Sequence, residues 1–393
     1  MSRRRPRVAA GRPGRRTASA NPVSRSILIV GTRNAGKSSF LEFLKTSLAL
    51  PAKKRSKSTI EQEEMVARSP PSGNFIPHYL ESEIDGERVG LTLWDSEGLE
   101  KNVVDLQLRE MSAFLESKFD ETFNEEMKVV RSPGVQDTHI HAVFLILDPA
   151  RLDRNLAASR TAPANGKNGK FVPPTRVIGG LDEDLDLQIF RTLQGKTTVI
   201  PVISKADTIT TKHMNVLKRA VWDSLKKSNL DPLSALGLDE DDGTSRIDEG
   251  DEDEADVSDG SEIDTPGLPI QGADHSASPA SKNSKRMSTQ SLRRNQQEGE
   301  LKEDDVPYIP MSILSPDLYE PGIVGRQFPW GFADPNNEEH CDFLRLKDAV
   351  FSEWRAELRE VSREQWYEGW RTSRLKQRDN RAPSIRAASI KHR

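Results

Sequence analysis

Short apolar runs alternate with amphipathic stretches along most of the chain. Ser26-Ile-Leu-Ile-Val30, Val89-Gly-Leu-Thr-Leu-Trp94, Ala142 to Leu147 and Thr197-Thr-Val-Ile-Pro-Val-Ile203 have the length and β-branching of buried strands. Tyr79–Ile84 and Arg88–Trp94 flank a turn and predict a hairpin. Between these runs, apolar residues recur every third or fourth position, which predicts helices over Ser39–Thr46, Val103–Lys128, Asp182–Leu193 and Thr211–Ser228. In the longest of them the stripe is Leu106, Leu108, Met111, Phe114, Leu115 and Phe119. Pro307-Tyr-Ile-Pro-Met311 predicts a last core strand, and Glu338–Leu375 reads as two helices with Trp354, Leu358 and Val361 on their apolar face. Strand-helix alternation of this kind predicts an α/β fold with a mostly parallel, doubly wound sheet and ligand loops at the strands' carboxyl ends.

Composition divides the chain. Of its 393 residues only 35% are hydrophobic, and the net charge of −4 averages over segregated blocks. Residues 1–25 hold eight arginines and no acid, whereas 239–264 hold fourteen acids and one arginine. Residues 265–305 are rich in Ser, Asn, Gln and Gly. Such segments bury too little apolar surface to offset ordering entropy. The expected organisation is a disordered basic arm (1–25), one domain over 26–375, and a disordered basic tail (376–393). Within the domain, 154–176 predicts a loop insertion and 239–305 a disordered acidic and Ser-rich one. The single cysteine, Cys341, excludes an internal disulfide framework or a multi-cysteine metal site and fits a reducing compartment. No run approaches the ~18 apolar residues that span a bilayer. The arm lacks the apolar centre of a secretory signal, and Pro6, Pro13 and Pro22 oppose the amphipathic helix of a mitochondrial presequence. A soluble intracellular protein is expected.

Three motifs then fall at predicted strand ends. Gly31-Thr-Arg-Asn-Ala-Gly-Lys-Ser38 follows the first strand and opens a helix, the G-x-x-x-x-G-K-S context that cradles phosphate. Its backbone from Gly31 through Asn34, Ala35, Gly36, Lys37, Ser38 and Ser39 is the expected phosphate cradle, helped by the helix dipole. Lys37 is expected at the β/γ-phosphates and Ser38 on Mg²⁺. Asp95-Ser-Glu-Gly98 ends the third strand: Asp95 suits a water-mediated magnesium carboxylate and Gly98 an N–H facing the γ-phosphate. Asp264-Thr-Pro-Gly267 is a closer D-x-P-G string, but it follows no strand and reads as a decoy. Ser204-Lys-Ala-Asp207 closes the Thr197–Ile203 run and matches [NTSA]-K-x-D. Asp207 would accept from guanine N1–H and its 2-amino group, with the Lys205 stem along the base. An ordinary strand-to-helix cap at Asp207 is the alternative. The ligand set expected is GTP or GDP with Mg²⁺.

Other strings are similar to those of the septin family of filament-forming GTP-binding proteins. Gly325-Arg-Gln-Phe-Pro-Trp-Gly331, then Glu338-Glu-His-Cys-Asp-Phe-Leu-Arg-Leu346, resembles its G-R-x-Y-P-W-G and E-H-C-D-F-x-x-L signature. Asp137-Thr-His-Ile-His141, Leu181–Phe190 and Tyr367-Glu-Gly-Trp-Arg371 fit as well, so the resemblance spans about residues 26–375. It implies a P-loop GTPase domain with a septin-type C-terminal helical extension, Arg326 against the guanine base, and Trp330 in an element that helps form the nucleotide-side subunit interface. Core packing is the plainer reading of Phe328, Trp330 and Phe332.

The departures bear on mechanism. The family's D-T-P-G is Asp95-Ser-Glu-Gly98 here, which sets a carboxylate, Glu97, beside the γ-phosphate. Asp148-Pro-Ala-Arg-Leu152 replaces a Gly-His string whose histidine reaches the neighbouring nucleotide. Thr59 is the only threonine in 51–77 and has no clear switch context, so no catalytic residue is assigned. The resemblance implies partners among other septins, in membrane-associated filaments acting in cytokinesis or morphogenesis, and a place in the cytoplasm, at the cytoskeleton, septum or cell cortex. The arm suits an anionic membrane surface or a merely solvated tail, and nucleic acid is the least favoured partner. A slow GTPase switch and a nucleotide-free pseudo-G-domain scaffold are the competing functions. Nothing after Leu375 sustains the heptads of a coiled coil.

Overall fold

The computed structural model describes residues 23–51, 54, 64, 73–128, 138–161, 177–237, 306–317, 319 and 324–381. The chain divides into two compact units, one of residues 1–232 with 305–393 and one of 233–304. Within the second, only 233–237 are described, including one turn of 3-10 helix at Ser234–Leu236.

The first unit is built on a six-stranded sheet. Its strands are β1 (Val23–Gly31), β2 (Phe75–Ile84), β3 (Glu87–Ser96), β4 (Ala142–Leu147), β7 (Thr198–Ile203) and β8 (Met311–Ser312). Two small strands, β5 (Val177–Ile178) and β6 (Leu181–Asp182), pair by themselves. The sheet order is β2-β3-β1-β4-β7-β8, and only the β2–β3 pair is antiparallel. Helix α1 (Lys37–Leu48) follows β1, α2 (Val104–Glu126) follows β3, α3 (Pro149–Thr161) follows β4, and α4 (Gln188–Leu193) and α5 (Thr211–Lys227) bracket β7. This is the α/β G-domain architecture, with every parallel strand aimed the same way.

Every residue of β4 and β7 is buried, as continuous apolar runs require when helices cover both faces. On one face, Leu28 and Val30 join Val143 and Leu145 with Met111, Phe114 and Leu115 of α2 and Leu217 and Val221 of α5. On the other, Phe40 of α1 meets Phe144 edge-on at 5.6 Å, and Phe43 meets Phe343 at 4.3 Å. The alternation of β1 thus feeds two cores.

The C-terminal extension is a helical run, α6 (Phe343–Lys347), α7 (Arg355–Glu360) and α8 (Glu368–Arg381), joined by wider turns at Asp348–Glu353 and Val361–Tyr367. Trp354 and Tyr367 are fully buried in it. Several expectations shift. Residues 154–161, read as loop because Gly and Asn follow, continue α3; 162–176 lie outside the described residues, as does all of 239–305. Residues 376–381, expected in the tail, continue α8, and β1 starts three residues before Ser26. The last core strand is two residues long and begins at Met311, the last residue of the expected stretch.

One buried ion pair fastens that short strand. Asp342 accepts from the Lys218 ammonium, the Ser312 N–H and the Ser312 hydroxyl, each at 2.6 Å. Its own N–H returns to the Ser312 carbonyl at 2.8 Å. Burial alone would raise the carboxyl, but Lys218 and the two Ser312 donors outweigh it and hold it below the ordinary range. This stabilisation is therefore present at neutral pH and lost only as pH falls through the depressed value. Asp342→Asn should leave the Lys218 charge buried and uncompensated, costing about 3–5 kcal/mol. Urea midpoints of the two proteins at neutral pH would measure it, and equal midpoints would exclude this role for the pair.

Candidate guanine-nucleotide site

The loop between β1 and α1 departs from regular backbone twice. Asn34 has φ 64° and Gly36 φ 95°, both left-handed, the conformation from which anion-binding nests are made. Asn tolerates it and Gly36 has no Cβ to resist it. Gly31 serves a different constraint: a Cβ there would lie 2.7 Å from the Ile146 carbonyl oxygen on β4. The Lys37 ammonium folds back over the loop and donates to the carbonyls of Gly31 and Thr32, both at 3.0 Å. Burial lowers the Lys37 pKa, and nearby Asp95 opposes the shift. Ala35 is buried, Ser38 exposed and Ser39 half-buried on the first turns of α1.

The loop after β3 is laid directly on this one. Leu99 N–H donates to the Gly31 carbonyl at 3.0 Å, and Arg33 N–H to the Leu99 carbonyl at 3.4 Å. A Cβ on Gly98 would come within 2.9 Å of Arg33 Cα, so the two backbones touch because Gly98 is glycine. The Ser96 hydroxyl donates to the Ile29 carbonyl at 2.7 Å and pins the end of β3 to β1. Asp95 sits at that end. Burial raises its carboxyl above the ordinary range, against the pull of Lys37 and His78. Its Oδ1 is buried with no hydrogen-bond partner. A magnesium ion fits here: one unpaired carboxylate oxygen near the hydroxyl-bearing first turn, with the remaining positions left to water and phosphate. Among the described residues no group of three His, Cys, Asp or Glu could form an all-protein metal site.

The loop after β7 approaches from the other side. The Ser204 hydroxyl donates to the Ala35 carbonyl at 2.6 Å, and the Lys205 ammonium reaches the Asn34 carbonyl and Asp148 Oδ1, both at 2.8 Å. Lys205 is itself left-handed, with φ 54°. One oxygen of Asp207 pairs with the Arg326 guanidinium, while Oδ1 is buried and unpaired. Arg326 belongs to a separate hairpin, β9 (Arg326–Phe328) and β10 (Gly331–Ala333). Phe328 and Trp330 stack at 5.2 Å there, and Trp330 is 83% and Phe332 42% exposed. Reading these rings as core is therefore wrong for Trp330 and Phe332: the hairpin pairs apart from the main sheet and these two rings face solvent, while Phe328 is half-buried.

The structure thus gathers Gly31, Asn34, Ala35, Gly36, Lys37, Asp95, Gly98, Lys205, Asp207 and Arg326 around neighbouring strand ends. Glu97 is exposed on the second loop. Thr59 and Asp264–Gly267 lie outside the described residues. Three participants escaped sequence reasoning. Arg33 carries the contact with Gly98 and pairs with Glu100 at 3.1 Å; Asp148 anchors Lys205; and Arg151 holds Asp186 with two bonds of 2.8 and 2.6 Å. Only Asp148 and Arg151 carried a signal, as the string that departs from the resemblance. Arg151 is half-buried on α3 and engaged within its own chain with the buried Asp186.

A septin family model matches residues 21–155, 171–258 and 286–384. The neuronal-specific septin-3 of Rattus norvegicus is 22% identical over 354 residues, covering 89% of this chain and 75% of that protein. Cell division control protein 11 of Saccharomyces cerevisiae is 22% identical over 379 residues, covering 93% and 69%. The septin homolog spn3 of Schizosaccharomyces pombe is 23% identical over 360 residues, covering 89% and 72%. With the family model matching most of its length and the strand-end loops built as described, the chain belongs to the septin family.

Proposed function

We propose that this protein is a guanine-nucleotide-binding septin subunit that co-assembles with other septins into filaments, with the nucleotide serving mainly as a structural ligand. The observation that carries this reading is the convergence of three loops: Gly98 against Arg33 on one side of the phosphate loop and Lys205 against Asn34 on the other. Lys37 would exchange two loop carbonyls for β- and γ-phosphate oxygens. Ser38 and, through water, Asp95 would hold Mg²⁺, which neutralises phosphate charge. Asp207 would accept guanine N1–H and 2-amino hydrogens where it now accepts from Arg326, and Arg326 would lie against the base. Glu97, on the loop facing the γ-phosphate, adds negative charge where a transition state needs positive, which favours retention over turnover.

The Phe328–Trp330 stack beside the base end, with Trp330 exposed, supports a subunit interface there, since aromatics are enriched at such surfaces. The relative named cell division control protein 11 supports a role in cytokinesis or morphogenesis at the cytoskeleton, septum or cortex. The eight arginines of residues 1–25 support attraction to an anionic membrane, at ~1 kcal/mol per basic residue near the surface.

Acid release and ion-exchange chromatography of nucleotide from freshly purified protein should give stoichiometric guanine nucleotide, with GTP persisting over a day. An empty protein would overturn the reading, and conversion to GDP would return it to an enzyme. Lys37→Ala should purify without nucleotide. Asp207→Asn should weaken guanine and favour xanthine nucleotide by at least about tenfold, some 1.4 kcal/mol, in competition binding; an unchanged preference sinks the base assignment. The raised Asp95 carboxyl has a consequence in pH. Protons compete with Mg²⁺ for its charged form, so the Mg²⁺ needed for half-maximal nucleotide retention should climb on acidification well before an ordinary aspartate would protonate. Asp95→Asn should flatten that climb.

A further inference from the structure

Arg33 leaves the phosphate loop where the loop after β3 crosses it. A Cβ on Gly98 would lie 2.9 Å from the Arg33 Cα and 3.2 Å from its Cβ, so the side chain starts against Gly98. Backbone holds this crossing. Leu99 N–H donates to the Gly31 carbonyl at 3.0 Å and Arg33 N–H to the Leu99 carbonyl at 3.4 Å, which makes Thr32 and Leu99 an isolated parallel bridge. Gln107 of α2 clamps the far side, accepting from the Glu100 N–H at 3.0 Å and donating to the Gly98 carbonyl at 3.2 Å. The backbone around Gly98 is fixed from two directions.

The guanidinium above it is held only lightly. The crossing loop carries two exposed carboxylates, Glu97 and Glu100, to the end of the phosphate loop. Lys101, the next residue along, pairs instead with the buried Asp182. Arg33 therefore answers Glu100, through Nη1 at 3.1 Å. The two side chains are 77% and 48% exposed, and an ion pair so open to water is weak. The flexible stem of Arg33 lets its fork swing from Glu100 across Gly98 without moving the backbone.

From this we infer that Arg33 is a specificity-determining residue that reads the γ-phosphate. With a triphosphate bound, its fork leaves Glu100 and takes a γ-phosphate oxygen beside the Gly98 N–H; with a diphosphate bound, it stays on Glu100. The inference rests on the nucleotide reading above, in which the Gly98 N–H faces the γ-phosphate. A guanidinium fork matches phosphate oxygens bidentately, and a multiply charged phosphate competes well against one half-exposed carboxylate. The exchange also offsets the repulsion that Glu97 brings to the γ-phosphate. Glu100 is the counterweight, since its hold on Arg33 must be broken each time a triphosphate binds.

The test is competition of GDP and of GTPγS, a triphosphate that resists hydrolysis, against a fluorescent GDP analogue. It uses the full chain, stripped of nucleotide with EDTA and returned to Mg²⁺. Arg33→Gln should lower GTPγS affinity about tenfold and leave GDP affinity within about twofold of wild type. Arg33→Lys, which keeps the charge without the fork, should recover part of the loss. Glu100→Gln should shift the preference about threefold towards GTPγS. That shift should vanish when Arg33→Gln is already present, because both act through one contact. Equal loss of both nucleotides in Arg33→Gln, or an unchanged preference, overturns the inference and leaves the nucleotide reading standing. So does a Glu100→Gln effect that persists without Arg33. A wild-type chain that binds neither nucleotide overturns the nucleotide reading and the inference together. Should Arg33→Gln fail to fold, Glu100→Gln decides alone: an unchanged preference there overturns the inference.

Discussion

The carbonyl of Gly31 is where the molecule is tied together. It accepts from the Lys37 ammonium and from the Leu99 N–H at once, both at 3.0 Å. One bond folds the phosphate loop over its own start, and the other lays the loop after β3 along it. Both need a bare backbone: a Cβ on Gly31 would strike β4, and one on Gly98 would strike Arg33. Because β1 is central in the sheet, with β3 and β4 as its parallel neighbours, the loops that must meet leave adjacent strand ends. The order of strands brings these loops close, and the missing side chains let them touch.

A cost accompanies this closeness. Lys37 and Asp95 are both partly taken out of water, and each is pushed toward its neutral form by burial while the other's charge resists. Two opposite charges desolvated side by side are weakly stabilising for the fold. They make sense as a poised pair, in which the ammonium satisfies carbonyls with weak acceptors and the carboxylate keeps an oxygen unpaired. A phosphate with its magnesium ion would improve both positions. Strain of this sort is what a site predicts and a merely structural loop does not.

Much of this was legible in the chain. The runs at 26–30, 142–147 and 197–203 became the inner parallel strands because continuous apolar stretches have no other economical place in an α/β sheet. The glycine motifs announced their loops through spacing. What stayed hidden depends on distance in three dimensions. Arg33 looks like any exposed arginine until Gly98 is seen against its backbone. Trp330 looks like a core tryptophan because hydrophobicity does not report which side of the chain is covered. Residues 154–161 resembled a loop through the Gly and Asn beyond them, whereas Ala157, Ala158 and their neighbours pack as the last turns of α3 beside α5.

The hairpin that carries Trp330 shows how the two ends of the proposed nucleotide chemistry connect. Three residues per strand make a ribbon too short to be stable alone. Its own contacts are the Phe328–Trp330 stack and the tight seat of Gly325 under Phe332. Arg326 on Asp207 ties it to the domain. On the reading that Asp207 accepts guanine, base binding and hairpin anchoring draw on the same carboxylate. The base must replace the guanidinium, and Arg326 must then find the base face or lose its hold. A hairpin bearing solvent-facing aromatics would thus be set by the ligand beneath it. Linkage is reciprocal: a subunit docking on those aromatics would change the affinity for the base by the same factor that the base changes docking. A nucleotide that is never turned over could still govern assembly through that one shared contact.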